Sequence, residues 1–198
     1  MGTGAGTDAG TVAGLLLAAG AGRRYGMPKA LVRHGGGLLV DHGIGTLASG
    51  GCVPIVVVLG ARQADVREQA NLSDATVVVN EDWDSGMGSS LRAGLTALES
   101  TAAAAAIVLL VDTPGITAAA VERVRSYGRP DALAAATYGG EMGHPVLLGR
   151  DHWTGVIATA IGDRGARPYL RQHRNDLALV ACEDIADGAD MDMPPPGG

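Results

Sequence analysis

Leu17-Ala-Ala-Gly-Ala-Gly-Arg-Arg-Tyr-Gly-Met-Pro-Lys-Ala-Leu31 is the stretch on which the reading of this chain turns. It continues an apolar run, Val12 to Leu17, that reads as a buried strand. Gly20, Gly22 and Gly26 then let the backbone turn tightly and approach a ligand closely. Arg23, Arg24 and Lys29 put positive charge into the same loop, beside backbone N–H groups. A strand running into a glycine-rich basic loop is how α/β proteins hold phosphates.

Outward from that loop, strand-like runs recur at Val12–Leu17, Val53–Leu59, Ala75–Val79, Ala105–Val111, Ala132–Ala136, Pro145–Leu148 and Leu177–Ala181. The central ones are continuously apolar, as strands covered on both faces must be. Helix-like segments separate them at Ala61–Ala70, Ser89–Leu98 and Thr117–Tyr127, the last opening on a capping threonine. Alternation of this kind predicts an α/β fold: one doubly wound, mostly parallel, Rossmann-like sheet whose ligands sit beyond the strands' carboxyl ends. The expected organisation is a flexible N-terminus over residues 1–11, one domain over 12–192 and a flexible tail over 193–198.

Composition narrows the classes. The 198 residues suffice for one sizeable core. Hydrophobic residues make up 46%, yet aromatics are 3% and Phe is absent, so Ala, Val, Leu and Ile must build the core. A net charge of −6 argues against a general nucleic-acid binder, so a phosphate ligand must be caught by local positive charge. Cys52 and Cys182 lack metal or redox spacing and read as buried small hydrophobes of a reducing cytoplasm. The start lacks signal-peptide character, and no apolar run nears the roughly 18 residues of a membrane span.

Within the loop, a dinucleotide fingerprint needs Gly-x-Gly-x-x-Gly, but Tyr25 stands where the third glycine belongs. Asp41 lies at the distance of a ribose-binding acid, after a poor second strand, Leu38-Leu39-Val40. The Gly-Lys-Ser/Thr phosphate loop is absent as well. Arg24 and Lys29 remain, with Pro28 fixing the backbone between them; a guanidinium fork and an ammonium together can neutralise a triphosphate.

Asp112 ends the most apolar run of the chain. It either starts the Thr-Pro-Gly bend or holds Mg²⁺, which needs only one or two protein carboxylates. Gly86-Met-Gly-Ser89-Ser90 reads as a loop entering a helix that Ser89 or Ser90 caps. His144 is either a satisfied histidine before a strand or a ligand group, and Asp163 and Arg167 either pair with each other or face an anion. Trp83 and Trp153 read as packing residues.

Leu17-Ala18-Ala19-Gly20-Ala21-Gly22-x-Arg24-x-Gly26-x-Pro28-Lys29 resembles the signature of the nucleotidyltransferases related to the molybdenum cofactor guanylyl- and cytidylyltransferases. Asp84-Ser-Gly86 through Gly94, Val111-Asp112-Thr-Pro114, Gly143-His144-Pro145 and Gly162-Asp163-x-Gly165-Ala166-Arg167 are similar to later motifs of that family, in the same order. The resemblance implies nucleotide binding by residues 17–22, Arg24, Lys29, Gly86, Ser89 and Ser90. It implies catalysis by Lys29, Arg24 and Asp112, with Mg²⁺ on Asp112 and on an Asp-x-Asp-x-Pro carboxylate, Asp192 aligning better than Asp190. His144, Asp163 and Arg167 would face the acceptor.

The implied reaction moves a nucleoside monophosphate onto a phosphorylated acceptor and releases pyrophosphate. Ala18-Ala19-Gly20 resembles the cytidylyl branch, which implies CTP as donor, molybdopterin-type molybdenum cofactor as acceptor and a molybdenum hydroxylase as downstream partner. A GTP-using or sugar-phosphate nucleotidyltransferase, an NAD(P)-dependent oxidoreductase and a cofactor-binding chaperone are the competing readings.

Overall fold

In a computed structural model of the chain, residues 10–191 are described. The segment before residue 10, the tail 193–198 and the expected metal ligand Asp192 lie outside them. The strands are β1 (Val12–Ala18), β2 (Arg33–His34), β3 (Gly37–Leu38), β4 (Ile55–Leu59), β5 (Thr76–Val79), β6 (Ala105–Leu110), β7 (Leu133–Tyr138), β8 (Glu141–Gly149) and β9 (Leu177–Ala181). The helices are α1 (Leu39–Ser49), α2 (Gln63–Gln69), α3 (Met87–Leu98), α4 (Ala118–Arg125), α5 (Trp153–Thr159) and α6 (Arg167–Gln172).

Seven strands form one sheet in the order β5-β4-β1-β6-β8-β7-β9, and β2 and β3 form a separate small hairpin. All main-sheet pairs are parallel except those of β8, which runs antiparallel to both β6 and β7. The mostly parallel sheet is thus as expected. The antiparallel strand has a local cause: β7 and β8 are joined by the two-residue turn Gly139-Gly140, both at positive φ, and so short a link can only reverse the chain.

Each central strand sends alternate side chains to opposite faces. Leu16, Val57 and Ile107 join the core beneath α1 and α4, while Leu15, Val56 and Val108 join that beneath α3 and α5. Small helix residues let the backbone approach: a Cβ on Gly43 of α1 would lie 2.8 Å from Leu16, and one on Gly94 of α3 would lie 2.3 Å from Leu15. That is how a core without Phe reaches close packing.

Leu38-Leu39-Val40, already a poor strand in the sequence, is no strand of the main sheet: Gly35 and Gly36 turn the small hairpin at positive φ and Leu39 opens α1. One sequence expectation is corrected. The helix expected from Ser89 begins at Met87 with Gly86 as N-cap, and neither serine side chain caps it. Thr117 does cap α4, accepting from the Ala120 N–H at 3.2 Å.

After β9 the chain returns across the sheet as a strap. Arg123 donates twice to Asp184 (2.6 and 3.0 Å) and once to the Ala181 carbonyl. The Asp187 N–H donates to the Gly115 carbonyl, and the Met191 N–H to that of Asp112 at 2.8 Å. A Cβ on Gly188 would lie 2.4 Å from the Tyr138 ring, so the strap packs flat on it. No helix among the described residues is long and apolar enough to cross a membrane.

Candidate active site

The chain steps from β1 outward through β4 to β5, then crosses to the other side of β1 to build β6. That reversal leaves a crevice beyond the carboxyl ends of β1 and β6, the place where doubly wound sheets bind ligands. An open cleft of about 540 Å³ occupies it, reached by Leu17 from β1, by Leu110 at the end of β6, and by Val111 and Asp112 just beyond it. The glycine-rich loop forms its rim, contributing Gly20, Ala21, Gly22, Arg23, Arg24 and Lys29.

The loop's shape depends on Gly22. Its φ is +59°, and a Cβ there would sit 1.9 Å from the Met27 carbonyl oxygen, so no other residue fits without moving the loop. Tyr25 and Gly26 N–H groups both donate to the Gly22 carbonyl and close the turn. Pro28 then leads into a short 3-10 turn, Lys29–Leu31, which swings the lysine inward. Ala18 and Ala19 are buried at the end of β1, and the Ala61 N–H donates to the Ala19 carbonyl, bracing the loop from β4's side.

Lys29 Nζ lies 2.8 Å from Asp112 Oδ2, with side-chain exposures of 16% and 23%. The two residues singled out separately in the sequence are thus partners. The bend after β6 is closed by the Thr113 N–H and hydroxyl donating to the Leu110 carbonyl and by the Ile116 N–H donating to that of Thr113, while the Asp112 carboxylate faces Lys29. The main-chain bond from Met191 carries the strap up to the same point, so Asp190 comes close to both Asp112 and His144.

The opposite wall is the entry to α3. Gly86 has φ +112°, and its backbone lies so close to Gly162 and Asp163 that a Cβ would be 2.5 Å from the Gly162 carbonyl carbon. Ser90 lines the cleft, whereas the Ser89 hydroxyl lies 2.8 Å from both the Asp82 and the Gly86 carbonyl, either of which can take its one proton. Asn80, which the sequence reading passed over, donates to both serine oxygens. A single Asn at a strand end carries no sequence signal beyond its turn preference. Trp83 sits half-buried on Gly60 and lines the cleft, while Trp153 is buried and donates to the Leu148 carbonyl.

The acceptor-side residues separate. Asp163 belongs to the cleft and accepts a long bond, 3.4 Å, from the Met87 N–H at the head of α3. Arg167 lies with His144 and Arg164 around an adjoining small cavity of about 60 Å³. Leu17, Met87 and Leu110 line both spaces. Asp163 and Arg167 do not pair, and Arg167 makes no ion pair among the described residues. Burial pushes the His144 pKa below its ordinary 6.5, so the ring is neutral at pH 7. Its Nδ1, 3.2 Å from the Val108 carbonyl, must carry the proton and donate, which makes Nε2 a hydrogen-bond acceptor.

Among the described residues no three His, Cys, Asp or Glu side chains come together. One or two carboxylate oxygens beside a phosphate-sized cleft is the donor set of a hard divalent ion that completes its shell from water and phosphate. Asp112 with Asp190 near it fits that description.

Residues 14–177 match the family described as the MobA-like NTP transferase domain. The nicotine blue oxidoreductase of Paenarthrobacter nicotinovorans is 40% identical over 194 residues, covering 94% of each chain. Among solved structures, the Rv0371c homologue of Mycobacterium sp. strain JC1 superposes with a TM-score of 0.80 at 29% identity, over 92% of this chain and 90% of that one. The manganese complex of Rv0371c from Mycobacterium tuberculosis superposes with a TM-score of 0.74 at 25% identity, over 93% and 91%.

Proposed function

The chain belongs to the family of MobA-like NTP transferase domains and is a nucleotidyltransferase, and from that premise we propose that it transfers CMP from CTP to the phosphate of a molybdopterin-type cofactor, releasing pyrophosphate. The observation that carries the reading is the Lys29–Asp112 pair, set beside a glycine-rich arginine loop at the mouth between β1 and β6.

The phosphate of such an acceptor is already ionised at neutral pH, so its oxygen can attack the α-phosphorus without a general base. Catalysis then consists of positioning and charge neutralisation. Loop amides at Ala21 and Gly22 and the side chains of Arg24 and Lys29 hold the triphosphate, while Asp112 fixes the lysine in place. Asp112, with Asp190 or Asp192, would hold a divalent ion, whose charge would help offset the negative charge that develops on the leaving pyrophosphate. In the adjoining cavity, Arg167 and Arg164 supply charge for an anionic acceptor. Neutral His144, with Nε2 as an acceptor, suits a pterin N–H that donates to it better than a phosphate oxygen. The choice of CTP over GTP rests on Ala18-Ala19, the resemblance to the cytidylyl branch. A molybdenum hydroxylase is the proposed recipient of the product, and two buried free thiols suit a cytoplasmic setting.

The relative named an oxidoreductase keeps a hydride-transfer reading in view. The loop argues against it here: a dinucleotide turn opens directly into a helix whose N-terminus meets the pyrophosphate, whereas this one leads into a 3-10 turn and a hairpin before α1 begins at Leu39. The deciding experiment is binding and pyrophosphate release with Mg²⁺ across CTP, GTP, ATP and UTP, with NADH alongside. Release from CTP in the presence of the pterin acceptor is expected. NADH binding without any triphosphate binding would sink the proposal.

A further inference from the structure

The helix that presents Arg167 has little of its own to hold it. α6 spans six residues, its N-cap Ala166 offers no side-chain bond, and of its side chains Leu170 alone is buried. Arg167 and Leu170 stand three positions apart on one face, and both line the small cavity. A single buried side chain fixes how deep such a helix lies but not its rotation about its own axis. Tyr169, about 100° further round the helix, supplies the second hold. A Cβ on Gly155 of α5 would lie 2.4 Å from its ring, so the ring rests directly on that helix. The His173 ring stacks on it, centroids 4.0 Å apart and 24° from parallel, with His173 Nδ1 3.0 Å from the Tyr169 carbonyl. The Tyr169 hydroxyl is 2.9 Å from His152 Nδ1, and His152 Nε2 is 3.0 Å from the Asp131 carbonyl. A carbonyl can only accept, so in the neutral ring Nε2 carries the proton and Nδ1 accepts from Tyr169. His152 precedes α5 and Asp131 precedes β7, so two bonds in series tie α6 to the sheet.

We propose that Tyr169 and His152 are positioning residues for the acceptor: their hydrogen bond sets the rotation of α6 and so keeps the Arg167 guanidinium turned into the small cavity. The proposal rests on the reading of that cavity as the acceptor's place. Neither residue lines the cleft or the cavity, so whatever they contribute passes through the helix. The triphosphate is held by the glycine-rich loop and by the ends of β1 and β6, none of which α6 carries. Loss of the bond therefore weakens binding of the acceptor and leaves that of the triphosphate alone.

The test varies the two substrates separately and reads pyrophosphate release: molybdopterin-type cofactor at saturating CTP and Mg²⁺, then CTP at saturating cofactor. Tyr169→Phe keeps the ring and removes only the hydroxyl, and His152→Ala removes its acceptor. Each is expected to raise KM for the cofactor about three- to tenfold, the worth of one hydrogen bond, with KM for CTP and kcat unchanged. The double variant should be no worse than either single, because the two act as one bond. His152→Asn, whose side-chain oxygen can take the place of Nδ1, should recover much of the loss. In an Arg167→Ala background, Tyr169→Phe should have no further effect. Unchanged cofactor KM in folded Tyr169→Phe, equal rises in both KM values, or an undiminished effect of Tyr169→Phe without Arg167 each overturn the assignment. If His152→Ala does not fold, Tyr169→Phe decides alone. An unchanged cofactor KM in Arg167→Ala overturns the reading of the small cavity, and this proposal with it. A wild-type chain that releases no pyrophosphate with this cofactor overturns the proposed function as a whole.

Discussion

Lys29 owes its place in the cleft to Asp112, and the carboxylate in turn is kept from facing a triphosphate uncompensated. Lys29→Ala should lower kcat/KM for pyrophosphate release by roughly 100-fold or more, the usual cost of losing one preorganised charge at a developing anion. Asp112→Asn should do the same and weaken the response to Mg²⁺, with unfolding midpoints close to wild type for a pair this near to solvent; full activity in both variants would remove the mechanism. His144 gives a pH prediction. Its folded pKa lies below the ordinary 6.5 because the ring is desolvated, with Asp190 and Asp112 opposing that shift and Arg167 adding to it. The unfolded chain therefore takes up the proton first as pH falls. Its stability contribution is complete above pH 6.5 and is lost below it, and denaturation midpoints of His144→Gln should fall less steeply in that range than those of wild type.

At the scale of elements, β1 is gripped between α1 and α3 through glycines. Gly94→Ala should gain about 1 kcal/mol of helix propensity but lose roughly 1–3 kcal/mol to overpacking. Its Cβ meets Leu15, which is fully buried and has nowhere to move, so net destabilisation is expected in urea unfolding. Trimming the neighbour in Leu15→Val should recover part of it. The elements themselves differed in how openly the sequence displayed them. Unbroken runs such as Ala105–Val111 and the Thr117 cap announce themselves, because burial on both faces and N-capping are local requirements. The short helices α5 and α6 do not, since each buries only one or two side chains and leans on its neighbours rather than on its own periodicity. Leu38-Leu39-Val40 reads as a poor strand for a similar reason: three apolar residues fit a strand and a helix start alike, and here they open α1.

The whole molecule is closed by the strap that follows β9. Truncation after Ala181 removes the Arg123–Asp184 pair, the cover of Gly188 over Tyr138 and the bond to the Asp112 carbonyl. Such a chain should melt lower and lose triphosphate binding, measured by thermal unfolding with and without Mg²⁺ and CTP. In the intact protein the same ligands at 100 times Kd should add about 2.7 kcal/mol and raise the melting point by roughly 5–10 °C. Strand runs, the glycine loop and the identity of its charged residues follow from the sequence alone, because they depend on local burial, on φ and on side-chain chemistry within a few positions. The pairing of Lys29 with an aspartate 83 positions away, the reversed β8, the separation of Asp163 from Arg167 and the grip of Asn80 on Ser90 were decided only by the tertiary structure. Those contacts depend on which strand lies beside which, and that order is set by the packing of the whole sheet against its helices.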